Sequence, residues 1–160
     1  MEKYLGEHRA IAPVVANASQ NGGVTGTRVS IKNAKRVSFL VSWGTSTSAT
    51  GNTLTARQHN AASSGTSKDL VQANPYYHRI SSATVMTQVI PASAAAAIDF
   101  SGVVGDLAAV ALVEVLAEDL DVENGFAWVS IDAGTSGVAK QLSIVALVDV
   151  ELKPAYDQTV

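Results

Sequence analysis

The segment Arg28-Val-Ser-Ile-Lys-Asn-Ala-Lys-Arg-Val-Ser-Phe-Leu-Val-Ser-Trp43 constrains the fold more than any other. It alternates apolar and polar residues and is rich in β-branched and aromatic types, a period of two that belongs to strands. Val29 and Ile31 share one face of a first run, and Val37, Phe39, Val41 and Trp43 share one face of a second. Lys32-Asn-Ala-Lys35 breaks the alternation between them, so two paired strands are the simplest reading.

The rest of the chain extends the pattern. Thr53 to His59 reads as a short strand between two polar Ser/Thr/Gly tracts, and Ala83 to Ile90 as a strand closed by Pro91. Val110 to Ala117 is apolar on both faces, which suits a strand buried between layers or at a subunit contact, with a short buried helix as the competitor. Glu118 to Gly125 holds the residues of a single helical turn ended by glycine. Phe126 to Asp132 resumes as strand. Gln141 to Leu152 places Leu142, Ile144, Ala146, Val148, Val150 and Leu152 on one side, with Val145 and Leu147 partly covered on the other. Strands at such spacings, with no long helical pattern, predict an all-β, single-domain β-sandwich or jelly-roll-like fold over residues 28–160.

Residues 1–27 differ. Tyr4, Leu5, Ile11, Val14 and Val15 are more apolar than a disordered tail, yet Pro13, Asn17, Asn21, Gly22 and Gly23 disfavour a helix or a central strand. An extended N-terminal arm, packed along the domain or reaching a neighbouring subunit, buries those side chains; a frayed terminus is the alternative. On the arm reading these five residues form an interface, and deletion of residues 1–20 leaves the β-core folded while weakening assembly.

Composition narrows the function classes. Charged residues are 16% of the chain, against about 25% in an average soluble protein, so the surface is largely Ser, Thr, Asn, Gln and Gly. Such a surface is readily desolvated against copies of the same chain or a larger partner; a secreted or merely β-rich domain is the other reading. Together with the two-sided Val110 to Ala117 it leads us to expect a homo-oligomer, a trimer. The net charge of −3 gives no electrostatic footprint for direct nucleic-acid binding. No apolar segment approaches the roughly 18–20 residues of a membrane helix. With no cysteine, neither disulfides nor thiolate metal sites support the fold. The N-terminus lacks the basic start and apolar run of a signal peptide, so synthesis and residence in a cytoplasm are expected.

No motif of chemistry is complete in the chain. Counting an EF-hand loop from Asp119 puts Asn124 where the turn glycine belongs and Ser130 where the bidentate carboxylate belongs, so Asp119, Asp121 and Glu123 read better as acids in a helical turn than as a divalent-cation site. His8, His59 and His78 have no metal-ligand spacing. There is no Gly-x-Ser-x-Gly elbow, Walker loop or dinucleotide fingerprint, and Gly102-Val-Val-Gly105 reads as a turn. We therefore expect no catalytic residues, no metal and no cofactor; a pocket joining His59 or His78 to acids would revive an enzyme. Asn74-Pro-Tyr-Tyr-His-Arg79 could offer Tyr76 and Tyr77 as a ring-stacking surface in a carbohydrate-binding or adhesion module, or could cap the core with wet hydroxyls. Two open, coplanar rings among Trp43, Tyr76, Tyr77 and Trp128 would mark the module.

The order of features resembles small virion structural proteins of tailed bacteriophages. Asn21-Gly-Gly-Val-Thr25, then Arg28 to Phe39, and late in the chain Leu120-Asp-Val-Glu-Asn-Gly-Phe126 followed by a strand carry that resemblance. It implies a capsid-associated accessory protein, a decoration or cement protein that binds the major capsid protein on the outside of an icosahedral head and resides in the virion. A tail or head-tail joining role belongs to the same class.

Overall fold

A computed structural model describes residues 9–47 and 51–150. The fold is all-β, two antiparallel sheets packed face to face. Among the described residues the strands are β1 (Arg9–Ser19), β2 (Val29–Ser30), β3 (Ala34–Trp43), β4 (Thr53–His59), β5 (Ser67–Asp69), β6 (Tyr76–Ile80), β7 (Thr87–Val89), β8 (Ala97–Asp99), β9 (Ala109–Leu116), β10 (Trp128–Ala133) and β11 (Gln141–Val150), with the short helix α1 at Ser101–Val104. Six strands form one sheet in the order β1-β11-β3-β9-β6-β7; the other runs β2-β10-β4-β5, with β8 also pairing β4.

The alternation in β3 and β11 produces the core directly. Val37, Phe39, Val41 and Trp43 point inward beside Leu142, Ile144, Ala146 and Val148, and Leu54, Ala56, Val129 and Ile131 meet them from the second sheet. Phe100, just before α1, closes the sandwich against Trp43, with ring centroids 5.4 Å apart. Burial of these side chains, at about 25 cal/mol per Å² of apolar surface, is the main stabilising term.

The two runs of Arg28–Trp43 do not pair with each other. β2 pairs β10 and β3 lies between β11 and β9, so the segment crosses from one sheet to the other. The crossing is a turn in which Ala34 N–H donates to Ile31 O at 3.1 Å and Asn33 takes a left-handed conformation, φ 64°, one that asparagine tolerates better than most side chains. Ile31 and Ala34 are both buried, so the polar break is an arch whose two feet stand in the core.

The 1–27 segment, read as an extended arm packed along the domain or reaching a neighbour, packs along the domain over its described part. Tyr4 and Leu5 lie outside the described residues. From Arg9 onward the chain is an eleven-residue edge strand of the six-stranded sheet, paired antiparallel with β11 from Arg9↔Asp149 to Ser19↔Gln141. Pro13 is accommodated because an edge strand has one unpaired side, and the register slips between Pro13 and Val15, a bulge that turns both Val14 and Val15 into the core. Over its described part the arm is thus an edge strand of the six-stranded sheet.

Other local readings shift less. Glu118 to Gly125 forms two 3₁₀ turns, Ala117–Asp119 and Val122–Asn124, the second ended by Gly125 at φ 80°. Ala83 to Ile90 contributes only the three residues of β7, and Gly102 to Gly105 lies mostly within α1.

Candidate functional site

The two outward faces of the sandwich differ in kind. On the smaller sheet, Arg57, His59, Ser130 and Asp132 point away from the core and are engaged by one another and by the loop before β5. Arg57 Nε lies 3.2 Å from Asp69 and 3.5 Å from Asp132. The His59 ring sits between two hydroxyls, Nδ1 at 2.7 Å from Ser67 Oγ and Nε2 at 3.0 Å from Ser130 Oγ. Ser130 Oγ lies 3.3 Å from Asp132 Oδ1, which also accepts the Gly26 N–H. Arg28 donates to Ala61 O and Ser64 O, tying the loop down. Burial, reinforced by the nearby Arg28 charge, holds the imidazole below its ordinary pKa, with Asp132 opposing. Both ring nitrogens are therefore committed to hydroxyls of the same fold.

The outward face of the six-stranded sheet is crossed by one unbroken apolar row. Register places Pro13 opposite Val145, Val145 opposite Leu40, Leu40 opposite Leu112, and Leu112 opposite Tyr77. These five residues form one row across β1, β11, β3, β9 and β6. Leu40 stands at its centre with a strand on each side and still has 41% of its surface in solvent. Ile11, 59% exposed, and Leu147 extend the apolar surface one row further. Charge bounds it at that end, where Arg36 pairs with Asp149 at 3.1 Å and Glu114 at 3.5 Å, and Ser38 donates to Glu114 at 3.0 Å. At the other end Ser143, Ser42, Val110 and Arg79 lie across from one another.

Of the interface residues expected on the arm, Val14 and Val15 belong to the core, and Ile11 lies on this open face. Tyr76 and Tyr77 do not act together, because successive strand residues point to opposite faces. Tyr76 turns inward against Phe100, 5.1 Å between centroids, and lines a cleft of about 130 Å³ with Pro91, Ile98 and Asp99. Tyr77 joins the outward row, its hydroxyl accepting from Gln88 Nε2 at 2.8 Å. Trp43 is buried. The two rings are therefore split between two surfaces, with Tyr76 packed on the core as its alternative reading has it.

The acids near residue 120 are held by protein groups. Asp119 accepts from Asn74 Nδ2 at 2.6 Å and from Leu116 N–H at 3.2 Å, and Asp121 is paired with Lys68 and Asn124. Among the described residues, no group of three or more His, Asp or Glu side chains is placed to hold a metal ion, and no helix is long and apolar enough to cross a membrane. The sequence signal for the outward row is Leu40, Val145 and Leu147, apolar residues on the polar beat of two strands whose other beat fills the core. Only the last two stood out in the sequence.

The geometry defines an antiparallel β-sandwich with one self-engaged polar face and one face crossed by an exposed apolar row. No protein-family model matches the chain, and no curated protein does. Among solved structures, that of the SPBc2 prophage-derived protein YomS overlays 88% of this chain and 91% of its own at a TM-score of 0.39 and 8% identity. A likeness of that degree carries no functional argument.

Proposed function

We propose that this chain is a virion structural protein of a tailed bacteriophage, a decoration or cement protein that binds the outer surface of an icosahedral head. It works as a homo-oligomer against the major capsid protein, by contact alone. The observation that supports an assembly role is the exposed apolar row across the six-stranded sheet beside a second face whose polar groups are already engaged. Apolar rows of this kind are covered in most proteins that act alone. The virion assignment draws on the resemblance of Asn21–Thr25, Arg28–Phe39 and Leu120–Phe126 to phage accessory proteins. A rigid β-domain bridging capsid subunits adds buried area that opposes internal genome pressure, and repetition over a symmetric lattice amplifies weak contacts.

Binding to purified heads of a tailed phage that carries the gene tests this reading. Saturable binding at a fixed ratio to the major capsid protein, with heads rupturing at a higher temperature, is expected. Heads that neither retain the protein nor gain heat resistance overturn it.

A further inference from the structure

We infer that the occupant of the open sheet face is a second copy of the chain, related by a two-fold axis that runs along the row Pro13–Val145–Leu40–Leu112–Tyr77. The inference rests on that face being an assembly surface and names its partner.

Area supports it. Six strands about 4.8 Å apart, and strands such as β9 of eight residues at about 3.3 Å each, give a face on the order of 700 Å². A standard protein interface buries about 800 Å² per partner. Two such faces stack as sheets do in a sandwich, about 10 Å apart and nearly aligned. The apolar row then lies over itself, with Leu40 of each copy at the centre.

Charge supports the direction of the axis. A two-fold along the row reverses the strand direction of the second copy, so the end bearing Arg36, Glu114 and Asp149 meets the end bearing Ser42, Ser143 and Arg79. Register sets Arg9 opposite Asp149, so Arg9, Arg36, Glu114 and Asp149 sum to zero charge at that end, and Arg79 is exposed on the column beside Val110. Arg79 of one copy then comes over the row that holds Glu114 in the other. An axis along the strands instead lays Glu114 of one copy over Leu147 of the other, away from Arg79.

The chain has no cysteine of its own, so one introduced thiol reports one contact. Leu40→Cys is expected to be joined into a covalent dimer by a short bis-maleimide, which spans the roughly 10 Å between stacked sheets; a direct disulfide, whose Cα atoms must lie within about 7 Å, is out of reach. Val85→Cys, 69% exposed in the loop before β7, is expected to stay monomeric. In sedimentation equilibrium the native chain is expected to be a dimer and Leu40→Glu, with unchanged melting, to dissociate about a hundredfold more readily. A monomer at high concentration, a trimer, or a dimer indifferent to Leu40→Glu overturns the inference. The same samples mixed with phage heads separate the two claims. A monomer captured by heads through Leu40 removes the second copy and keeps the capsid reading, while a Leu40-dependent dimer that heads ignore does the reverse.

Discussion

The indole N–H of Trp43 donates to Oε1 of Gln20 at 3.1 Å, inside the sandwich where neither side chain meets appreciable solvent. Gln20 completes the arrangement by donating from Nε2 to Gly134 O at 2.8 Å, while its own backbone bonds Lys140 O and accepts from Ser136. One amide thus fastens the end of β1 to β3 and to the turns around β11. Gln20→Ala leaves a buried N–H and a buried carbonyl without partners, each a loss of about 1–3 kcal/mol. We expect unfolding free energy in urea to fall by about 2–4 kcal/mol with an unchanged denaturant slope.

The place of β1 in the body reverses the expectation for truncation. Deleting residues 1–20 removes the strand paired with β11, empties the sites of Val14, Val15 and Gln20, and opens the β11 edge. The truncated chain should lose its cooperative thermal transition by circular dichroism. A native-like melt would show that β1 is dispensable.

The environment of His59 sets an acid limit. Its folded pKa lies below the reference value of 6.5, chiefly through burial, so between the two values the unfolded chain holds more protons. The stabilisation is complete above about pH 6.5 and is lost as pH falls through the depressed folded value. Asp99 and Asp121 are also shifted downward, but from a reference of 3.8, so they act in a more acidic range. Unfolding free energy should decline as pH falls below about 6.5 in the native chain, and this slope should flatten in His59→Gln.

Much of the core was legible because period-two alternation in β3 and β11 states which residues turn inward. The partner of each strand was not legible. Val29 and Ile31 read as a hairpin with Val37 to Trp43, yet a left-handed Asn33 and two buried feet send them to different sheets, a choice made by tertiary packing. Pro13 argued correctly against a central strand, but an edge strand with a bulge satisfies it as well as an arm does. Tyr76 and Tyr77 allowed two readings, a shared ring-stacking surface or caps on the core, and adjacency in a strand sets the two rings on opposite faces. The apolar row was half legible: Val145 and Leu147 stood out on the polar beat of β11, whereas Leu40 was hidden in a continuous apolar run, Phe39-Leu-Val41.

The central claim is that the outward face of the six-stranded sheet is covered in the assembled protein while the opposite face is not. Hydroxyl-radical footprinting of dilute and concentrated protein, read residue by residue by mass spectrometry, tests it most directly. Leu40, Leu112, Val145 and Tyr77 should become protected together as concentration rises, with Trp128 on β10 and Met86 before β7 labelled equally in both samples. Equal labelling of Leu40 at both concentrations, or protection that appears on β10 instead, would contradict the account.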